Sequence, residues 1–96
     1  MKTNMDQILK TLDGDSLKDN GKLLKLKDIC INALMSMDEN TTPEEKINQY
    51  ELALKVNKGG EVELSSENRV LLKKLVGKLY GPLVYGQANG MLENDD

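Results

Sequence analysis

The sequence predicts a mostly α protein: a small single domain of three main helices plus a short C-terminal helix, with a minor β-hairpin or strand pair. Three observations carry that class. Apolar residues recur at helical spacing in three separate stretches. Helix-start and helix-stop residues bracket those stretches. The chain has 96 residues, which leaves room for one domain (1–96) with one small core.

Residues 7–12, QILKTL, fit either a strand or a single helical turn. Asp13-Gly14 and Asn20-Gly21 are turn signals, and the piece between them is too short for a helix. Residues 7–24 therefore read as a hairpin-like or irregular arm. The first helix spans 26–37. Leu26, Ile29, Cys30, Ala33 and Met37 lie on one stripe, and Ile31, Leu34 and Met35 add a second apolar side. A helix apolar on most of its circumference is central or lies at an interface. Ile29, Ala33 and Leu34 are expected in the core. Residues 38–41 are a loop.

Thr42-Pro43-Glu44-Glu45 is a strong helix start: Thr42 caps, Pro43 fits the first turn and Glu45 completes a capping box. This second helix runs to about residue 58 and stops at Gly59-Gly60. Ile47, Tyr50 and Leu54 are expected to mark its buried side, with Ala53 beside them. Residues 61–64, EVEL, alternate as a short strand, whose partner is expected within 7–24. Ser65 or Ser66 caps the third helix, 66–80. Its apolar face is Leu72, Leu75, Val76 and Leu79. Gly81-Pro82 ends it, and Pro82 can start a fourth helix to about Leu92. Residues 1–6 and 93–96 are expected to fray.

Composition excludes several chemistries. The chain has no His and one Cys. The commonest general base and metal ligand are therefore missing, and no intrachain disulfide or cysteine-rich zinc site can form. We expect a non-enzyme without cofactor or metal, and the single thiol favours a reducing cytoplasm. No apolar run reaches the roughly 18 residues of a membrane helix, and the residues after Met1 do not form a signal peptide. A net charge of −3 argues against wholesale nucleic-acid binding, and the basic helix ends in Gly-Pro rather than in a long DNA-reading surface.

The charge is unevenly placed. Residues 69–90 hold Arg69, Lys73, Lys74 and Lys78 and no acid, whereas residues 31–68 hold three Lys and eight acids. Gly77 lies among these cations, where a helical glycine costs about 1 kcal/mol relative to alanine. On the functional side, this is an anion or partner site: Arg69, Lys73, Lys74 and Lys78 supply charge, Gly77 exposes bare backbone, and Tyr80 or Tyr85 stacks at the rim. On the structural side, Gly77 admits a neighbouring helix and the lysines are a solvated face. Gly86 and Gly90 would let helices pack closely. The carboxylates Asp38, Glu39, Glu44, Glu45 and Glu51 line one element, as a solvated face does. Cys30, without a basic neighbour, reads as a core residue. Met35, Met37 and Met91 suit either an adaptable contact surface or gap-filling.

The stretches LKLKDICINALM (24–35), EKINQYELALKV (45–56) and LLKKLVGKLYGPLVYGQANGML (71–92) resemble short accessory proteins encoded by tailed bacteriophages and prophages. The resemblance implies a small accessory protein in the host-cell cytoplasm, and it carries over no functional residue. The expected function is a non-catalytic, homo-oligomeric interaction protein. It would bind a host protein or an anionic ligand such as a nucleotide signal, as a host-defence inhibitor does. A virion-assembly accessory, such as a tail or head chaperone, is the alternative.

Overall fold

The computed structural model describes residues 2–36 and 40–93. Among them the order is β1 (Lys2–Asn4), β2 (Lys18–Asp19), β3 (Lys22–Leu23), α1 (Leu26–Leu34), α2 (Pro43–Asn57), β4 (Glu61–Glu63), α3 (Ser66–Leu79) and α4 (Pro82–Glu93). The mostly helical class with a minor strand component is what the sequence predicts.

Local chemistry sets most boundaries. Thr42 and Glu45 form the capping box at the head of α2: the Glu45 amide donates to the Thr42 hydroxyl at 3.1 Å, and the Thr42 amide donates to the Glu45 carboxylate at 3.4 Å. Such a box satisfies amides that the first helical turn leaves unpaired. Gly59 and Gly60, both at positive φ, end α2. Ser65, not Ser66, caps α3 by accepting the Asn68 amide at 3.1 Å. Asn20 and Gly21 both take positive φ, the conformation a two-residue turn needs to join β2 to β3. Within the arm over 7–24, residues 18–23 are therefore a hairpin, and isolated bridges join Lys10 to Ser16 and Ile8 to Lys25.

One pairing differs from expectation. β4 pairs antiparallel with β1, with Thr3 opposite Val62, and not with a segment of 7–24. Thr3 and Met5 point inward while Lys2 and Asp6 face solvent. That alternation over so few residues is too brief to stand out in the sequence. The Met5 amide then donates to the Gly60 carbonyl, and the Gly60 amide donates to the Asp6 carboxylate. Residues 2–6, expected to fray, are thus tied to the end of α2. Met37, Asp38 and Glu39, and residues 94–96, lie outside the described residues.

α1 packs against both α2 and α3. Leu26, Ile29, Cys30, Ala33 and Leu34 of α1 are buried, together with Met5 and Leu9 of the N-terminal segment and Leu72, Val76, Ala88 and Leu92. Both apolar sides of α1 are largely served within the chain, although Met35 at its end is half exposed. Burial pushes the Cys30 thiol up to about 12. It stays protonated at neutral pH and acts as a small apolar side chain.

α2 is turned relative to expectation. Its buried residues are Gln49, Leu52, Ala53 and Val56, while Ile47, Tyr50 and Leu54 are 60%, 57% and 51% exposed. The helix carries two apolar stripes, and helical periodicity alone does not say which one packs inward. Leu79, expected on the inner face of α3, is also nearly half exposed.

Candidate functional site

The basic segment does not form one surface. Arg69 is only 5% exposed. Its guanidinium reaches the Thr3 hydroxyl at 3.4 Å and the Glu93 backbone carbonyl at 3.5 Å, linking α3 to β1 and to the end of α4. It is a strut inside the fold. The Lys73 ammonium donates to the Glu93 carboxylate at 2.8 Å. Lys74 and Lys78 are exposed.

Gly77 is exposed, but the side on which a Cβ would project is occupied. A Cβ placed there would meet the Tyr85 ring edge at 3.1 Å. Gly77 lets α4 lie close against α3, with the Tyr85 ring in the space a side chain there would take. Tyr80 accepts a hydrogen bond from the Asn32 side-chain amide at 3.1 Å, which holds its hydroxyl against α1. The seven residues Arg69, Lys73, Lys74, Gly77, Lys78, Tyr80 and Tyr85 therefore divide between internal ties and two outward lysines. Gly86 and Gly90, expected to admit a close helix, have nothing within 4 Å of where their side chains would begin.

The Lys73–Glu93 pair gives a direct test of this assignment. The Lys73 hydrogen bond and charge hold the Glu93 carboxyl below the usual carboxylate range. A carboxyl whose folded pKa is lowered stabilises the fold above its ordinary pKa, and that contribution is lost as pH falls through the lowered value. Glu93 is solvent-exposed, so the contribution is small and screened by salt. In Lys73→Ala, an NMR titration is expected to return the Glu93 carboxyl toward its ordinary value, with the melting temperature essentially unchanged. A Glu93 titration indifferent to Lys73 would contradict the pairing.

The outward stripe of α2 is the feature the sequence missed. Ile47, Tyr50 and Leu54 fall at i, i+3 and i+7 on one line of the helix. The inner stripe of the same helix is engaged by the core, so no rotation of α2 could bury both. Single exposed apolar residues are ordinary, but these three large ones are aligned as a continuous exposed stripe on one helix. The capping box at Thr42 and the glycine stop at 59–60 hold that surface in place from both ends. The signal was present as a second apolar stripe, and it became readable only once the inner face was known.

Among the described residues, open grooves flank the helices. One, of about 460 Å³, lies between the β2–β3 hairpin and α1 and carries Asp19, Lys22, Lys27 and Asp28 around Leu23 and Ile31. Another, of about 480 Å³, runs between α2 and α3 past Glu51, Lys55 and Glu67. Each mixes both signs of charge. Among the described residues no three His, Cys, Asp or Glu side chains gather as a metal site would require. Glu44, Glu45 and Glu51 are exposed along α2. No described helix is long and apolar enough to cross a membrane.

Comparison with protein-family models, with curated proteins and with solved structures finds no match to this chain. The likeness to phage accessory proteins accordingly rests on the three quoted stretches alone.

Proposed function

We propose that the chain is a non-catalytic protein-interaction module that works through the outward face of α2. The observation that carries this reading is the aligned, exposed trio Ile47, Tyr50 and Leu54 on a helix whose other apolar stripe is already buried. Large apolar and aromatic side chains held on a rigid element are what protein interfaces use as anchors. An accessory protein of the kind the phage resemblance implies would act by such docking, whether it blocks a host effector or assists virion assembly. The small-anion alternative draws less support, since Arg69 is buried, Lys73 is paired with Glu93 at the surface, and Tyr85 sits beside Gly77.

The test is site-specific photo-crosslinking in cells that produce the protein. A photoreactive residue in place of Leu54 is expected to give protein adducts, and one in place of Lys74 is expected to give none. The mass of the adduct then separates a second copy, a host protein and a virion component. Adducts from position 74 alone, or from neither position, would overturn the reading.

A further inference from the structure

We infer that the α2 face takes a second copy of this chain, docked as a parallel helix pair. The inference rests on the reading of that face as the working surface and names its partner. Pro43, Ile47, Tyr50, Leu54 and Asn57 follow one another at alternating spacings of four and three along α2. That is the seam of a two-heptad coiled coil, with Ile47 and Leu54 at one core position and Tyr50 and Asn57 at the other. The seam points away from Gln49, Leu52, Ala53 and Val56, which face the core. A second helix can therefore lie along Ile47, Tyr50 and Leu54 without displacing the inner face, and at its far end it meets Asn57 at the border of the groove beside the β2–β3 hairpin.

The charges beside the seam choose the partner and the direction. Lys46 precedes one core position and Glu51 follows the other, and both are exposed. Neither makes an ion pair among the described residues. In a parallel pair of identical helices, the residue before one core position faces the residue five places further along the other helix. Lys46 of each copy then faces Glu51 of the other, giving two symmetric ion pairs. An antiparallel pair over the same core residues would instead bring Glu51 against Glu51 of the second copy, offset by Glu44 against Lys58, and would leave Lys46 without Glu51. Lys46 and Glu51 of the two copies satisfy each other only in the parallel orientation. A polar Asn57 at the last core position restricts register further. Three apolar side chains per copy are fewer than a standard interface supplies, so the dimer is expected to be weak, with Kd on the order of 10–100 µM.

Analytical ultracentrifugation at low salt, from micromolar to high-micromolar concentration, tests this with charge swaps. The parent should dimerise, and Ile47→Glu should be monomeric with an unchanged circular dichroism spectrum. Lys46→Glu and Glu51→Lys should each weaken association about ten-fold, since each turns two attractive pairs repulsive. Combining them should restore it to within about three-fold of the parent. Oxidation of Asn57→Cys should give a covalent dimer, because residue 57, at the end of the seam, meets its equivalent in the parallel arrangement and lies far from it in an antiparallel one. The buried Cys30 thiol does not compete. A parent that is monomeric throughout, a dimer indifferent to Ile47→Glu, single swaps without effect, or no covalent dimer from Asn57→Cys would each overturn the inference. A monomeric parent with photo-adducts to a different protein at position 54 would overturn only the second copy and leave the working surface in place.

Discussion

Ile29→Ala is expected to lower the unfolding free energy by about 2–5 kcal/mol, because it removes a fully buried side chain and leaves a cavity. Ile29 is wholly buried on α1, the helix that touches both α2 and α3. Three layers meet there, and none can collapse inward without moving the other two. A domain this small has only about 5–15 kcal/mol of stability in total. The variant should therefore melt many degrees below the parent in a calorimetric or circular-dichroism scan. Melting within a degree or two of the parent would mean that α1 does not organise the core.

Arg69→Ala is expected to cost about 1.5–3 kcal/mol, while Lys74→Ala should stay within about 0.5 kcal/mol of the parent. The two residues sit five apart in the basic segment and have opposite roles. The Arg69 stem packs in the interior, and its head reaches Thr3 and the Glu93 carbonyl. Its loss removes packing as well as polar ties, and it loosens β1 and the end of α4 together. Lys74 faces solvent. Chemical denaturation of both variants checks the contrast. Equal and negligible effects would return Arg69 to the surface and revive the anion site.

Punctuation was legible in the sequence because it acts locally. Thr42 with Glu45, Gly59-Gly60, Ser65, Asn20-Gly21 and Gly81-Pro82 each fix their own few residues, and α2, α3 and the start of α4 lie where those residues put them, whereas α1, expected to run to 37, ends at Leu34 with no such signal. The choice of face was not legible on α2. Leu52, Ala53 and Val56 form one stripe with Gln49, and Ile47, Tyr50 and Leu54 form another. Burying Gln49 looks unfavourable from its side chain alone. The partner of EVEL was missed for a related reason. Thr3 and Met5 carry little apolar pattern, and their pairing with residues some sixty positions away depends on tertiary packing.

The candidate site shows the same division. Charge counting found an acid-free segment, but charge counting cannot see depth. Arg69 lies inside the fold, Lys73 finds its acid just beyond the counted window at Glu93, and the tyrosine expected to flank an anion fills the space over Gly77. The surface left without a covering partner was instead one that the sequence assigns to the core.

A two-dimensional amide NMR dilution series reads the central claim residue by residue. The account predicts concentration-dependent shifts that centre on Ile47, Tyr50, Glu51 and Leu54, fade toward the inner face of α2 and vanish in Ile47→Glu. Shifts that centre on Lys74 and Lys78, or a spectrum unchanged from high-micromolar to low-micromolar protein, would contradict it.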